Sequence, residues 1–448
     1  MSTQHYDPFA FFNPPPIGRA YVPRKEDRWD TWPTSITPEY VRKCMAAAED
    51  GEPSDMFDLI DRIRETDLTL SGIFSTRITS LTGLEWECIA DPDVEDETAA
   101  TDAAEYCRDV LSKIADLDGG LSHLAMAIGY GVSAAEIVWR VDGTTHRPSA
   151  LNKVVHSSLC ATGTKLDELR IRTEESGNQG EPIASYPNKY IVHRPNEIGT
   201  SPFRGGALRA CLGISCFKRF GLQWFVNFCE LFGVPFRWAQ YPPNATPEEK
   251  GQIETALKDF SAAAWGAFPE GTDFNLAGPT SGSTSANVIP QAGLIDLIDK
   301  WYSIYLLGQT LTTQVSDTGG AFAAAKIHNE VRGDILRSDA KLESVTIRRD
   351  LLQPMMRFGP MAGKPCPIFR RVIEEPIDVG VALDNIAKAQ GVGMTITRGQ
   401  ASEMTGISLA DGESADDPLE KVREPSPFDF GGPPMPPDDG PPLKIKKP

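Results

Sequence analysis

SDMFDLIDRIRETDLTLSGIFSTRITSLTGLEWECIA, residues 54–90, decides the fold. Leu59, Ile60, Ile63, Leu70, Ile73, Phe74, Ile78 and Leu81 recur at helical spacing, so the reading predicts one helix over 54–82. Ser54 or Asp55 is its expected N-cap, and Gly83 its stop. LEWECIA then alternates, with Leu84, Trp86 and Cys88 on one side and Glu85 and Glu87 on the other. That period of two marks a half-buried strand.

The same helix-then-strand order repeats downstream. Residues 97–115 read as an acidic surface helix, and 120–130 as a helix with Leu121, Leu124 and Ile128 on one side, broken at Gly129 and Gly131. SAAEIVWRVDG (133–143) sets Ala135, Ile137, Trp139 and Val141 against Glu136, Val138, Arg140 and Asp142. Short strands are expected near 165–172 and 189–193, which gives an α+β domain with antiparallel strands. Upstream, residues 1–50 read as an arm. Pro14, Pro15 and Pro16 stiffen it, Trp29 and Trp32 are suited to pack it on a body or a neighbour, and a short helix over 36–49 starts at Thr37-Pro38.

Farther along, residues 205–232 predict a long helix apolar almost all round, with Phe217, Phe220, Trp224, Phe225, Phe228 and Phe232. Such a helix must be buried, within the chain or between subunits. Gly233 and Pro235 end it. T-P-E-E opens a helix over 247–265, residues 277–286 form a Gly/Ser/Thr-rich loop, and 293–308 form a helix with Leu294, Leu297, Ile298, Trp301 and Tyr305 on one stripe. A polar loop, LTTQVSDTGG, precedes a long helix over about 321–352, which Pro354 is expected to end. Residues 384–410 read as two short helices joined by a turn, and 411–448 as a disordered tail rich in Pro, Gly and Asp.

Composition narrows the function. The 448 residues carry 44 Lys and Arg against 62 Asp and Glu, a formal charge of −18. Tight gripping of duplex DNA by the whole surface calls for the opposite balance. The N-terminal stretch lacks a basic segment followed by an apolar run, so no signal peptide is expected and a cytoplasmic product fits. The most apolar stretch, 205–238, is interrupted by Lys218, Arg219 and Glu230, against a membrane span. Eight cysteines are scattered without a C-x-x-C pair, and six histidines show no ligand spacing, so neither disulfides nor a metal centre is expected. GTSPFRGG (199–206) has the two glycines of a phosphate loop but not its Lys and Ser/Thr. DPDVEDE (91–97) has Asp96 where a calcium loop needs a turning glycine, and position twelve is Asp102. No G-x-S-x-G, H-E-x-x-H or dinucleotide fingerprint occurs. The reading is a protein without catalytic, metal or cofactor residues.

Five segments resemble the Mu-like phage portal protein family: DRIRETDLTLSGIFSTRITSLTGLEWEC (61–88), GYGVSAAEIVWRVDG (129–143), FVNFCELFGVPFRWAQY (225–241) with its Glu230, Gly233, Pro235 turn, LGQTLTTQVSDTGGAFAAAKIHNEV (307–331) and GVGMTITRGQASEMTGI (391–407). No single motif is diagnostic; their order and spacing together are specific. The resemblance implies a mostly helical α+β portal fold of wing, stem, clip and crown, assembled as a ring, usually of twelve subunits, at one capsid vertex. Double-stranded DNA would pass through it with weak contacts. Its partners would be the large terminase subunit, head-completion or adaptor proteins and the major capsid protein, and its places the host cytoplasm during assembly and then the virion. The implied layout is an arm over 1–50, a wing over 51–232, stem and clip over 233–310 with the clip near 266–290, tunnel loop and returning helix over 311–354, and a crown-like unit over 355–410. Thr312, Thr313, Gln314, Val315, Ser316 and Asp317 are the tunnel-loop candidates, and Lys300, Lys326 and Arg332 the weak basic candidates near a channel. Phe217, Phe220, Trp224, Phe228, Trp301 and Tyr305 are the subunit-packing candidates. The alternatives are a head scaffold or adaptor without a channel, and an enzyme that processes nucleic acid.

Overall fold

A computed structural model describes residues 36–162, 165–199, 201–232, 237–259, 265–272, 290–309, 321–373, 379–409 and 414–419. The chain divides into two compact units, 1–373 and 374–448.

The first unit opens with α1 (Pro38–Glu49), whose N-cap Thr37 accepts from the Tyr40 N–H. Ile36, Val41, Cys44 and Ala48 are buried in the core, so the end of the expected arm is part of the body. The helix expected over 54–82 is two helices, α2 (Ser54–Thr66) and α3 (Leu68–Thr82). Asp67 breaks it: its backbone is extended, and its carboxylate caps α3 by accepting from the Leu70 N–H. Pro53, not Ser54 or Asp55, stands at the start of α2. The Ser54 hydroxyl instead donates to the Ser157 carbonyl at 2.9 Å.

Strand β1 (Trp86–Ile89) follows, then α4 (Glu97–Leu111), α5 (Leu117–Ala125) and α6 (Ala127–Tyr130). α4 is less superficial than its acidic sequence suggests: Ala99, Ala100, Ala103, Ala104, Cys107 and Val110 form a buried face. Strand β2 (Ser133–Asp142) pairs antiparallel with β3 (Thr145–Lys153). A second three-stranded sheet joins β4 (Leu159–Thr162), β5 (Lys165–Ile171) and β6 (Glu181–Pro182), while β7 (Tyr190–His193) lies on the other edge of β2. β2 separates two apolar clusters: Val132 and Ala134 belong to one, Ala135, Ile137 and Trp139 to the other. Hence Glu136, expected on a polar face, is buried. It is matched by Lys189 at 3.2 Å and by the Asn152 amide at 3.1 Å, as a buried charge requires.

Helix α7 (Ala207–Phe232) confirms the long helix. Strands β8 (Arg237–Tyr241) and β9 (Trp265–Pro269) pair parallel around α8 (Pro247–Asp259), a small β-α-β unit inside the expected stem and clip. Thr246 and Glu249 cap α8 reciprocally. Next come α9 (Pro290–Leu307) and α10 (Ala321–Ile347). Pro354 does not stop the long helix. A π-turn at Arg348–Leu352, in which the Gln353 N–H reaches the Arg348 carbonyl, widens the coil, and α11 (Gln353–Phe358) carries on with Pro354 buried in its first turn. Strand β10 (Ile368–Arg371) then pairs antiparallel with β1, so residues 355–373, read with the crown-like unit, belong to the first unit. Arg371 and Glu343, both buried, join β10 to α10 by two 2.8 Å bonds.

The second unit holds α12 (Val379–Gly391) and α13 (Arg398–Thr405), the latter with a Thr397/Gln400 capping box. Residues 414–419 of the expected disordered tail are folded onto this unit. The Leu419 N–H donates to the Ile396 carbonyl at 2.8 Å, and the leucine packs on Ile386, Ile396 and Ala401.

Candidate functional site

Helix α7 begins where two backbones nearly touch. A Cβ on Gly206 would stand 2.4 Å from the Gly129 carbonyl oxygen, and Gly131 opposite has a φ of +91°. Gly206, the last glycine of the sequence that mimics a phosphate loop, therefore serves a close helix-to-turn approach. From there, Leu208, Cys211, Leu212 and Cys216 are buried against the α1–α3 core. Arg209 is held by Glu49 at 2.7 Å and donates to the Phe203 carbonyl at 3.3 Å. Burial pushes the Cys211 thiol up to about 12, so it is an inert apolar filler.

At the middle of α7 the surroundings become polar. The Ser215 hydroxyl meets the Tyr302 hydroxyl of α9 at 2.7 Å, and burial raises that phenol. One residue turn on, the Lys218 ammonium sits 2.7 Å from Asp67 and 2.6 Å from Asp299, over the Tyr302 ring. This triad ties the α2–α3 break, α7 and α9 together. Asp67 thus has two tasks, capping α3 and fixing α7. Its signal in the sequence was an Asp inside a helical pattern.

Beyond Lys218 the side chains open outward. Phe217 is 51% and Trp224 55% exposed, and on α9 Trp301 is 46% and Tyr305 52% exposed. Phe220 and Phe228 are half-buried. Phe220 and Trp224 stack, ring centroids 6.0 Å apart. The stripe that α9 buries is Ile298, Tyr302, Leu306 and Leu307, so Trp301 and Tyr305 lie on its outer side, apart from Ile298 of the expected stripe. Of the six subunit-packing candidates, four are thus about half exposed and two half-buried, with Phe220 supporting Trp224. Tyr305 also borders a cavity of about 220 Å³ beside Arg77 and Asp339. Those two residues form a bidentate pair at 2.9 and 3.0 Å, and Arg77 donates to the Leu306 carbonyl at 3.1 Å.

The other candidates fare differently. Thr312, Thr313, Gln314, Val315, Ser316 and Asp317 lie outside the described residues, as do Gly233 and Pro235; Glu230 falls in the last turn of α7. Lys300 stands exposed on α9. Arg332 is spent on the Ser80 hydroxyl at 2.6 Å; Lys326 lies in the first turns of α10. Among the described residues no group of three or more His, Cys, Asp or Glu is arranged to hold a metal ion. No described helix is long and apolar enough to cross a membrane.

A family model described as portal protein of Mu bacteriophage matches residues 57–407. The portal protein of Escherichia phage Mu is 28% identical over 332 residues, which cover 73% of this chain and 62% of that protein. The Mu-like prophage FluMu protein gp29 of Haemophilus influenzae is 25% identical over 387 residues, covering 84% of this chain and 72% of that one. The chain therefore spans under two thirds of the phage Mu protein. Among solved structures, a chain from the neck of an empty gene transfer agent particle covers 83% of this chain and 94% of its own length, at a TM-score of 0.46 and 11% identity.

Proposed function

The chain belongs to the portal protein family of Mu bacteriophage, and from that premise we propose that its copies close into a ring at a capsid vertex, through which double-stranded DNA is packaged and ejected. The observation that carries the reading is the outward aromatic surface of α7 and α9. Phe217, Trp224, Trp301 and Tyr305 are large apolar groups left half in water beside a buried core. Exposed aromatics of this kind are what subunit interfaces bury. A closed ring of many copies needs head-to-tail contacts, so this surface would meet a different one on the neighbour.

In that ring the acidic balance favours passage over gripping. Twelve copies at −18 carry about −216 formal charges, which disfavour tight phosphate contacts. The polar loop 312–317 is proposed to line the narrowest point, residues 51–232 to form the wing, and 233–310 the stem and clip. The large terminase subunit, head-completion proteins and the major capsid protein are the proposed partners, in the virion and, during assembly, in the host cytoplasm.

Electron microscopy of the purified full chain tests the reading. Rings with a central hole of roughly 20 Å or more, wide enough for a duplex, are expected. Phe217→Asp with Trp224→Asp should leave folded single copies. Single copies of the unaltered chain at every concentration, and in assembled particles, would overturn the ring. Rings with a narrower hole would point to an adaptor instead. Replacing 312–318 by Gly and Ser should impair DNA packaging or retention; normal particles would remove the loop from the mechanism.

A further inference from the structure

A groove of about 670 Å³ runs along α7 on a side away from the Phe217 and Trp224 stripe. Leu222 and Val226 line it, roughly 140° and 180° round the helix from Phe217 at 3.6 residues per turn. Leu68, at the α2–α3 break, and Ile295 of α9 complete its apolar lining. Leu68 is 86% exposed, Leu222 54% and Val226 48%, an arrangement that leaves good apolar surface unused. The charges within the groove are mostly satisfied, since Lys218 is held by Asp67 and Asp299. Arg219 is the exception: it donates to the Thr66 hydroxyl at 3.1 Å and meets no carboxylate among the described residues.

Where the chain enters points to the occupant. Ile36 lines this groove and is firmly buried, its carbonyl accepting from the Cys216 thiol at 3.1 Å. Residues 1–35 therefore join the body at the groove's own wall. The segment just before it reads RWDTWPTS, 28–35. At no more than about 3.3–3.6 Å per residue, Trp32 is held within roughly 14 Å of Ile36 and Trp29 within roughly 25 Å. A short tether of this kind raises the local concentration of the segment to about the millimolar range. Two indoles offer the apolar area that the groove lacks, and Asp30 between them is the opposite charge to Arg219.

We infer that Trp29–Trp32 of the same chain docks in this groove, with the indoles on Leu68, Leu222 and Val226 and Asp30 beside Arg219. One side of the open half of α7 is then closed by the chain's own arm, and the other stays free for a second subunit. The inference stands on the groove and the chain's path, whether or not a ring forms.

Arg24, Lys25 and Arg28 make the arm a trypsin substrate, so its cleavage rate in the full chain reads docking. Trp29→Ala with Trp32→Ala, and separately Leu222→Asp, should each raise cleavage at these sites at least tenfold, with no further gain when combined. Arg219→Glu should raise it less, and Asp30→Asn should raise it by a similar amount, with little further gain when the two are combined. Melting curves on the same proteins check that Leu222→Asp, altered at a half-exposed position, keeps its fold. Equal cleavage in all variants would overturn the inference. So would loss of protection in Phe217→Asp with Trp224→Asp single copies, because the occupant would then be a neighbour's arm. Failure of the unaltered chain to form rings, with protection retained, would sink only the ring.

Discussion

The two halves of α7 are built from the same residue types and live in different surroundings. From Ala207 to Cys216 the helix is sunk in the core, its one cation neutralised by Glu49. From Phe217 to Phe228 equally apolar side chains stand at the surface. The boundary is Lys218, whose bonds to Asp67 and Asp299 mark where packing inside the chain ends. Apolar content alone states that a surface will be covered. Only the packing says whether the same chain covers it.

The sharpest way to break the comparison is to cut into the buried half. Leu212 is fully buried, and Leu212→Ala removes its contacts and leaves a cavity, at about 2–5 kcal/mol. Chemical denaturation of the single-copy Phe217→Asp/Trp224→Asp background should show a lower midpoint at unchanged slope. An effect under about 1 kcal/mol would mean that this half is less rigid than its burial indicates.

Acid should act on the body in the same way. His193 is buried, its Nδ1 2.9 Å from the Thr346 hydroxyl, and burial together with nearby Arg349 lowers its pKa to about 4. Burial also holds His123 and His156 below the usual range. An unfolded histidine titrates near 6.5, so the unfolded chain takes up the proton first. Stability from a neutral His193 is full above about pH 6.5 and falls as pH drops toward 4, by up to about 3 kcal/mol. Denaturation at pH 7 and 4.5 should show a drop that His193→Gln reduces. An identical drop in the variant would place the acid sensitivity elsewhere.

How much of this was legible depended on range. The alternation in LEWECIA and SAAEIVWRVDG, the stops at Gly83 and Gly131 and the length of α7 are local signals, and each produced the expected element, whereas Gly129, expected to break a helix, lies inside α6. The Asp67 break had only a faint mark, an N-cap residue type inside a helical pattern; apolar spacing runs straight through it, and the capping bond is what settles it. β3 was missed because THRPSALNK is polar and carries Pro148, and β10 because IFRR has four residues and a partner nearly 300 positions away. At the candidate site the aromatics were visible, but not which of them the chain itself covers. Trp301 and Tyr302 are neighbours in sequence, and packing of α9 on α7 and α3 puts Tyr302 inside and Trp301 out.

The junction should give an intermediate response. Lys218→Met keeps the length of the side chain and removes the charge that holds two carboxylates together. Loss of charged hydrogen bonds of this kind costs about 1.5–3 kcal/mol, toward the lower end here because Asp299 retains contact with water. Chemical denaturation of the Phe217→Asp/Trp224→Asp single copies at pH 7 reads that loss. An unchanged midpoint would mean that packing alone holds this junction.

The smallest effect on the lone chain is the most informative. Trp224 stacks on Phe220 and otherwise faces water. Trp224→Ala in single copies, made with Phe217→Asp, should change unfolding by less than about 1 kcal/mol, the scale of one aromatic pair. In the otherwise unaltered chain the same substitution should shift the balance from assemblies to single copies, read by mass in dilute solution. A residue that matters little to folding and greatly to association is conserving its surface for another copy. If Trp224→Ala instead destabilised the lone chain as Leu212→Ala does, the two halves of α7 would be one core, and the surface offered to a neighbour would have to be sought on α9.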